Sequence, residues 1–360
     1  QGADNPTPVY DTQRAIFKQI LVWLETSNAQ LGALEAGNTN MKGFDFFLDG
    51  DVKQWQKAVN AFRLRVLVQL NKKEAEAAEL NVRQEFANIL NDPGRYPLPE
   101  SNDDNVAYTY AATEKYPFNQ DNFGFYALRY NTAATYINTL SALRDPRVFV
   151  VAEPAAAKIA EGFTPQDYEA YVGAPSDEGL DDMATNVQAG KYSLINKTRY
   201  FSSYEGEPCI QIGYPEMCFS IAEGINRGWA TGDAQEWYNK GIAASMAFYG
   251  ITDAGDLNTY LGQNTVAYKG NTPDGLAQIL TQKYLALAQH SGLEGYFNWR
   301  RTGIPAFAQG GPGTGNSGVI PMRFQYPTSE RDNNSSNYYL ALSSQGFFGD
   351  QINSLPWIVQ

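Results

Sequence analysis

Apolar residues return at every third or fourth position over residues 16–90, the spacing of helices that bury one face. The first helix is predicted to follow Asp11 as its cap, and the second to begin near Asp51. The third is predicted over residues 74–90 and ends at the Asn-Asp-Pro-Gly turn of residues 91–94. The predicted buried faces of the first two helices contain Ile16, Ile20, Trp23, Leu24, Leu31, Leu34, Val52, Trp55, Val59, Phe62, Val66 and Leu70.

Residues 92–123 lose this period and are rich in Asn, Asp, Pro and Tyr. Irregular segments of such length are uncommon inside a compact domain and are often functional. A helical pattern returns over residues 125–143, and a short apolar run at residues 147–152 is predicted to be a strand. This organisation predicts a long loop that interrupts a helical scaffold.

The pattern over residues 215–249 resembles a helical hairpin of the tetratricopeptide type. Its first half places large residues at 218, 221 and 225 around the small Ala222, and its second half contains Ala234, Tyr238 and Gly241. Small residues let two helices approach closely, while large residues fill the groove between them. The sequence therefore predicts a close-packed helix pair joined by the turn at Gly232 and Asp233.

The C-terminal part of the chain, from residue 274 onward, also combines predicted helices with loops. Further helices are predicted over residues 274–290 and 293–301, followed by a Gly-rich loop at 308–318, a strand at 319–324 and a helix from Asn337. The whole chain, residues 1–360, is predicted to be one mostly α domain with repeat-like helical hairpins, long loops and a little β structure.

Charge and composition narrow the possible partners. The net charge is −12 without a basic run, so nucleic acid and anionic lipid are disfavoured. The two cysteines, Cys209 and Cys218, are too few for a disulfide framework and are interpreted as buried, inert thiols. No apolar run approaches the length of a membrane span, and no signal peptide opens the sequence. Neutral, hydroxyl-rich ligands remain compatible with this composition.

The strongest candidate site is the aromatic part of the irregular segment. Its rings can stack on the apolar C–H faces of sugars, and its amides can bond to hydroxyl groups. The candidate ligand-binding residues are Tyr108, Tyr110, Tyr116, Phe118, Asn119, Asn122 and Tyr126. The alternative is that these rings only pin the loop to the scaffold. Both roles are expected, with the rings from Tyr108 to Tyr116 at the surface and Phe125 and Tyr130 in the core.

Other candidate chemistry is weaker. His290, the only histidine, lies at a predicted helix end, where a positive charge suits the helix dipole, and no neighbouring motif makes it a catalytic base. Residues 313–318 match a Gly-x-Gly-x-x-Gly pattern but lack the flanking strand and helix of a nucleotide site. The acidic loop 101–105 offers oxygen ligands for calcium without EF-hand spacing, so a plain turn is preferred. No cofactor is predicted beyond that possible calcium ion.

Five segments in order resemble the SusD/RagB family, in its SusD-like outer-membrane lipoprotein branch. They are YDTQRAIFKQIL at 10–21, FFLDGDVKQWQKAVNAFRLRVLVQL at 46–70, PEMCFSIAEGINRGWATGDAQEWYNKGIAASM at 215–246, EGYFNWRRTGIPAF at 294–307 and VIPMRFQYPTSERDNNSSN at 319–337. The resemblance departs from the family pattern at Tyr296, Phe297 and Met322, and at the Trp357-Ile358 pair. Trp299, Arg300, Arg301 and Arg323 resemble fold-defining positions of the family.

The resemblance implies a SusD-like helical fold and a binding protein that is not an enzyme. It also implies capture of an oligosaccharide or other small nutrient at the cell surface, for a SusC-like TonB-dependent outer-membrane transporter. Family members carry a lipidated cysteine and further N-terminal helices, which this chain is expected to lack, so a membrane anchor would lie outside it. Two alternatives stay open: a secreted glycoside hydrolase, whose carboxylate pair a sequence does not reveal, and a repeat scaffold that binds only protein partners.

Overall fold

The computed structural model describes residues 5–126 and 130–360, without the side chains of Phe125 and Tyr126. This part of the chain is mostly helical, as the sequence predicted. The helices are α1 (Gln13–Ala36), α2 (Val52–Gln69), α3 (Val82–Asn91), α4 (Phe123–Tyr126), α5 (Ala134–Ala142), α6 (Val148–Val151), α7 (Ala156–Ala160), α8 (Leu180–Gln188), α9 (Lys197–Phe201), α10 (Tyr214–Asn226), α11 (Ala234–Phe248), α12 (Ala254–Leu261), α13 (Pro273–Ala286), α14 (Glu294–Thr302), α15 (Thr328–Asn333) and α16 (Ser335–Ser344). The strands are β1 (Val106–Tyr108) and β2 (Cys209–Ile212).

Side-chain caps set several helix starts. The hydroxyl of Thr12 accepts from the Ala15 amide at the start of α1, so the cap is one residue later than the predicted Asp11. Asp51 caps α2 as predicted, through the amide of Gln54. Asp233 accepts from two amides at the start of α11. Such caps satisfy amides that have no carbonyl partner inside the helix and typically stabilise by about 1 kcal/mol.

The predicted third helix over residues 74–90 is shorter in the structure. Ala78–Leu80 form a 3-10 turn, and Asn81 has a left-handed backbone with φ 47°, which stops one helix before the next begins. The period of the sequence continues across this break, because both parts contribute apolar residues to the same core. Local backbone geometry therefore overrides the pattern.

Other predicted elements also differ. Residues 147–152 contain the short helix α6 instead of a strand, and the helix predicted over 125–143 is divided into α4 and α5. The predicted strand at 319–324 does not form, because the amides of Met322 and Arg323 both donate to the carbonyl of Ile352 instead of a strand ladder. On α1, Trp23 is 62% exposed, so the predicted buried face is only partly buried.

The repeat hairpin α10–α11 is the centre of the fold, and α2 and α13 pack against α10. Every residue of α10 from Pro215 to Ile225 is buried. Gly241 on α11 has no room for a side chain, since an added Cβ would lie 2.7 Å from Cζ of Phe219 on α10. The small residues of the predicted hairpin therefore lie where the two helices touch.

Two buried glutamates on α10 anchor neighbouring helices. Glu216 pairs with Arg65 of α2, with 2.7 Å between Oε1 and Nε, and Glu223 pairs with Arg301 of α14. These four side chains are buried or nearly so. An unpaired charge at such a site is costly, so each pair fixes the position of the helix that supplies its arginine.

The irregular segment is joined to the scaffold by a two-stranded antiparallel sheet. Val106 of β1 lies opposite Ile212 of β2, and Tyr108 lies opposite Cys209, with a bulge after Val106. Because β2 leads directly into α10, the sheet holds the start of the aromatic segment beside the repeat hairpin. No helix within the described ranges is both long enough and apolar enough to cross a membrane.

Gly241→Leu is expected to destabilise the protein by about 1–3 kcal/mol or more, because the larger side chain would overlap the buried ring of Phe219. Ala247→Leu is the matched control, since Ala247 is exposed on the same helix and should change stability by less than about 0.5 kcal/mol. Chemical denaturation measures both variants. Equal midpoints for the two would contradict the close helix contact.

The Glu223–Arg301 pair is expected to make stability depend on pH. Burial alone would raise the pKa of Glu223, but Arg301, together with Arg227 and Lys283, lowers it from 4.5 to about 2. A lowered pKa in the folded state stabilises above the unfolded value and loses this contribution as the pH falls from 4.5 towards 2. The contribution is on the order of 3 kcal/mol.

Acid titration of unfolding stability tests this expectation. Glu223→Gln should lose most of that pH dependence and should be about 3–5 kcal/mol less stable at neutral pH, because Arg301 remains buried without a counter-charge. Glu236→Gln is the control, because its pair with Lys240 lies at the surface. An unchanged acid profile in Glu223→Gln would show that the buried pair does not control acid stability.

Candidate functional site

Aromatic rings from two separate loops form a continuous series, here called the aromatic ribbon, which consists of Phe46, Tyr108, Tyr110, Tyr116 and Phe118. Successive ring centroids lie 6.0, 4.9, 5.1 and 6.0 Å apart, and each pair meets edge to face. Edge-to-face packing is a favourable arrangement of aromatic rings. The loop of residues 37–51 thus contributes to a surface that the sequence assigned to the later segment alone.

Burial increases along the ribbon from Phe46 to Tyr116, and Phe118 is half-buried. Phe46 is 76% exposed, Tyr108 and Tyr110 are half-buried, and Tyr116 is only 8% exposed. The expectation that Tyr108 to Tyr116 lie at the surface is therefore wrong for Tyr116. Its ring stacks on Tyr200 at 6.4 Å, and burial raises the pKa of its hydroxyl.

Contacts distant in sequence bury Tyr116. Its amide donates to the carbonyl of Tyr204 at 2.7 Å, and its hydroxyl donates to Oε1 of Gln289 at 3.3 Å. A side chain at Gly206 would overlap the Tyr116 ring. The ring at this position is therefore fixed by residues 200–206 and by the turn after α13.

The predicted amide ligands Asn119 and Asn122 hold the loop in shape. The Asn119 side-chain amide donates to the carbonyl of Tyr116, and that of Asn122 donates to the carbonyl of Pro117, each at 2.7 Å. The Asn122 side chain also accepts from the Asn119 backbone amide. These bonds support the ring positions from within the turn.

The predictions for Tyr130 and Tyr126 have different outcomes. Tyr130 was expected in the core but is 43% exposed, and its ring lies 5.2 Å from that of Phe118. The side chain of the predicted ligand residue Tyr126 lies outside the described residues.

The ribbon ends in a cavity of about 410 Å³, here called the aromatic cavity. Apolar rings and polar groups both face it, which suits a ligand with apolar faces and hydroxyl edges. The lining residues used below are Tyr110, Tyr116, Phe118, Tyr130, Asn131, Glu207 and Gln289.

Glu207 is the only carboxylate among the described residues that line this cavity. Its side chain is buried and pairs with Nε of Arg199 at 2.5 Å. Burial raises the pKa of Glu207, while the charge of Arg199 and its hydrogen bond oppose the rise. The carboxylate is thus largely neutralised by its partner.

His290 lies beside Glu207, with 3.4 Å between Nε2 and Oε1. It is buried in the turn after α13, and its ring meets that of Phe248 edge to face. Burial and the nearby charge of Arg199 lower its pKa to about 4, which keeps the ring neutral at pH 7.

The remaining candidate groups are engaged elsewhere. In the acidic loop, Asp104 pairs with Lys57 at 3.0 Å, and the amide of Asn102 donates to the carbonyl of Ala244. The described ranges contain no group of three or more His, Cys, Asp or Glu side chains placed to hold a metal. Both cysteines are free. Burial raises the pKa of Cys218 to about 12, whereas Cys209 is half-buried at the aromatic cavity, not fully buried as predicted.

Sequence reasoning missed Phe46, Glu207 and Gln289. Phe46 belongs to a Phe-Asp-Phe-Phe run, and the run is a usable signal because it stands in a segment without helical period. Asp45 organises this loop, since it accepts from the amides of Leu48 and Gly50 and from the indole of Trp55. Glu207 and Gln289 carry no comparable local signal.

None of the curated proteins matches the chain. A SusD homologue of Bacteroides fragilis is 33% identical, with a TM-score of 0.88, over 98% of this chain and 76% of its own. A Bacteroides vulgatus outer-membrane protein, thought to be involved in nutrient binding, is 28% identical, with a TM-score of 0.85, over 100% of this chain and 78% of its own.

A more distant neighbour has the same fold. The chitin-binding SusD homologue of Flavobacterium johnsoniae is 21% identical, with a TM-score of 0.77, over 100% of this chain and 75% of its own. The SusD-like family described as starch-binding and associating with the outer membrane matches residues 1–327. The chain therefore belongs to this SusD-like family.

Proposed function

We propose that the protein captures oligosaccharides on the aromatic ribbon and in the aromatic cavity, as a binding protein without catalytic turnover. The observation that supports this most is the ribbon itself, a partly exposed series of rings that ends at a cavity with polar side chains. Sugar rings stack their C–H faces on aromatic rings, and their hydroxyls bond to groups such as Asn131 and Gln289. The starch-binding description of the family and the chitin-binding neighbour agree with a glycan ligand.

The charge of the site agrees with a neutral ligand. The whole chain has a net charge of −12, but the one carboxylate in the described cavity lining, Glu207, is paired with Arg199. A neutral sugar binds such a surface without the repulsion that an anionic ligand would meet.

The cavity supports binding over hydrolysis. Glycoside hydrolases use two carboxyl groups on either side of the scissile bond. Glu207 is the one carboxylate in the described lining, and it is held by an arginine. A reducing-sugar release assay on starch and chitin oligosaccharides is expected to show no turnover.

We further propose that the captured sugar passes to a SusC-like TonB-dependent transporter, from a lipid-anchored position at the cell surface. Membership of the SusD-like family supports this part. The alternative, a scaffold for protein partners alone, would have to use α11, because α10 is buried from Pro215 to Ile225. Co-purification with the transporter, combined with failure to bind any glycan, would favour the scaffold.

Tyr110→Ala and Tyr116→Ala are expected to act differently. Tyr110 is half-buried at the cavity, so its removal should weaken binding of malto- or chito-oligosaccharides roughly tenfold to hundredfold with little change in stability. Tyr116 is core, and its truncation should lower the free energy of unfolding by about 3–5 kcal/mol, as for other large aromatic residues.

Titration calorimetry and thermal unfolding separate the two effects. Tyr339→Ala is the control, because Tyr339 is exposed on α16 and does not line the aromatic cavity. Unchanged affinity in a folded Tyr110→Ala protein would move the sugar site away from the ribbon.

A further inference from the structure

A second, smaller cavity of about 240 Å³ adjoins the aromatic cavity. It is here called the tyrosine cavity, after Tyr136 and Tyr284, which line it together with Thr132 and Gly295. Asn131, Ile195 and Gln289 line both cavities. These three side chains therefore lie between the two spaces.

Size argues against two independent sites. Pockets for small ligands usually enclose about 300–1,000 Å³. The aromatic cavity falls within that range at about 410 Å³, whereas the tyrosine cavity falls below it at about 240 Å³. The smaller space is better suited to extend the larger one than to hold a ligand of its own.

The backbone at the junction is strained. Gln289 has φ 64° and Ser291 has φ 54°, in the left-handed region that glycine adopts freely and that other residues seldom adopt. Such residues persist where the surroundings enforce them, and they concentrate at functional sites. A glutamine retained at an exposed left-handed position is consistent with a role for its side chain.

The Gln289 side chain is oriented for that role. Its Oε1 accepts from the hydroxyl of the buried Tyr116, which fixes the amide group. Its amide nitrogen makes no hydrogen bond to other described residues, so its donors remain available at the junction of the two cavities.

We propose, building on the proposed function, that the two cavities form one cleft for a linear sugar chain, with Gln289 bonding to the sugar at the junction. Aromatic rings stand at both ends, Tyr110 and Phe118 in one cavity and Tyr136 and Tyr284 in the other. Polar groups lie between them. This alternation of stacking faces and hydroxyl partners fits consecutive units of an oligosaccharide better than a single sugar.

A chain-length series tests the cleft. Calorimetry is performed with maltooligosaccharides and chitooligosaccharides from the disaccharide upward. The affinity of the wild-type protein is expected to rise with chain length until the cleft is filled. Affinity that is the same for all lengths would overturn the proposal.

Gly295→Leu is designed to block the tyrosine cavity alone. A Cβ at Gly295 would lie 3.8 Å from the Tyr284 ring, an ordinary contact, and leucine favours a helix more than glycine does, so folding should be retained. Binding of long chains is expected to fall roughly tenfold, to the level of short chains, while short chains bind as before. Gly295→Ala, with a much smaller side chain, is the control and should leave long-chain binding unchanged.

Gln289→Gly separates the side chain from the backbone. Glycine relieves the left-handed strain but removes the acceptor of the Tyr116 hydroxyl, and because these effects oppose each other the melting temperature should change little. Affinity should fall roughly threefold to tenfold with the lost hydrogen bonds to the sugar. Asn81→Gly, an exposed left-handed position before α3 and away from both cavities, is the control and should leave affinity unchanged.

The outcomes distinguish the two proposals. Weaker binding of every chain length in Tyr110→Ala, with no effect of Gly295→Leu or Gln289→Gly, would retain the proposed function and overturn the extended cleft. Absence of binding to every neutral glycan would overturn both.

Discussion

The buried pair of Arg65 and Glu216 connects the scaffold to the site. Besides Glu216, the guanidinium of Arg65 donates to the carbonyl of Gln211 in β2 at 2.7 Å. The hydroxyl of Ser291 donates to Glu216 at 3.3 Å, and the Ser291 amide donates to the carbonyl of Ile210 at 2.7 Å. One ion pair therefore fixes α2, α10, β2 and the strained turn after α13 in a common arrangement. Loss of one partner from such a pair would leave a buried charge and release all four.

The position of the ligand surface follows from that arrangement. β2 pairs with β1, whose last residue, Tyr108, belongs to the aromatic ribbon. The turn that Ser291 holds also contains Gln289, whose side chain accepts a hydrogen bond from the hydroxyl of Tyr116. The positions of Tyr108 and Tyr116 therefore both depend on the buried pair of Arg65 and Glu216. A rigid surface of this kind loses little conformational entropy when it binds a ligand.

The sequence predicts the parts of this molecule whose causes are local. The small residues of the α10–α11 hairpin depend on neighbours a few positions away, and that prediction is confirmed. Helix α2 forms as predicted, but the prediction that it buries one face is wrong. Trp55, Val59 and Phe62 of the predicted face are only half-buried, whereas Lys57 and Arg63 outside it are buried by contacts distant in sequence. Tyr116 could not be assigned to the core, because residues 200–206 bury it. Phe46 joins Tyr108 from sixty-two positions away, and Gln289 lies further still from the loop that it supports. The site is an assembly of distant loops, which a periodic pattern does not encode.

The graded burial of the ribbon explains why its rings fit two interpretations. Tyr116 is 8% exposed within a core cluster with Tyr200 and Phe201, whereas Phe46 at the first end of the ribbon is 76% exposed. The core contacts of Tyr116 hold its ring in place, and each edge-to-face contact in the ribbon stabilises the position of the neighbouring ring. The buried ring therefore supports the rings of the ribbon that face solvent. Within one series of rings, the buried Tyr116 holds the loop on the scaffold and the more exposed rings form the proposed stacking surface.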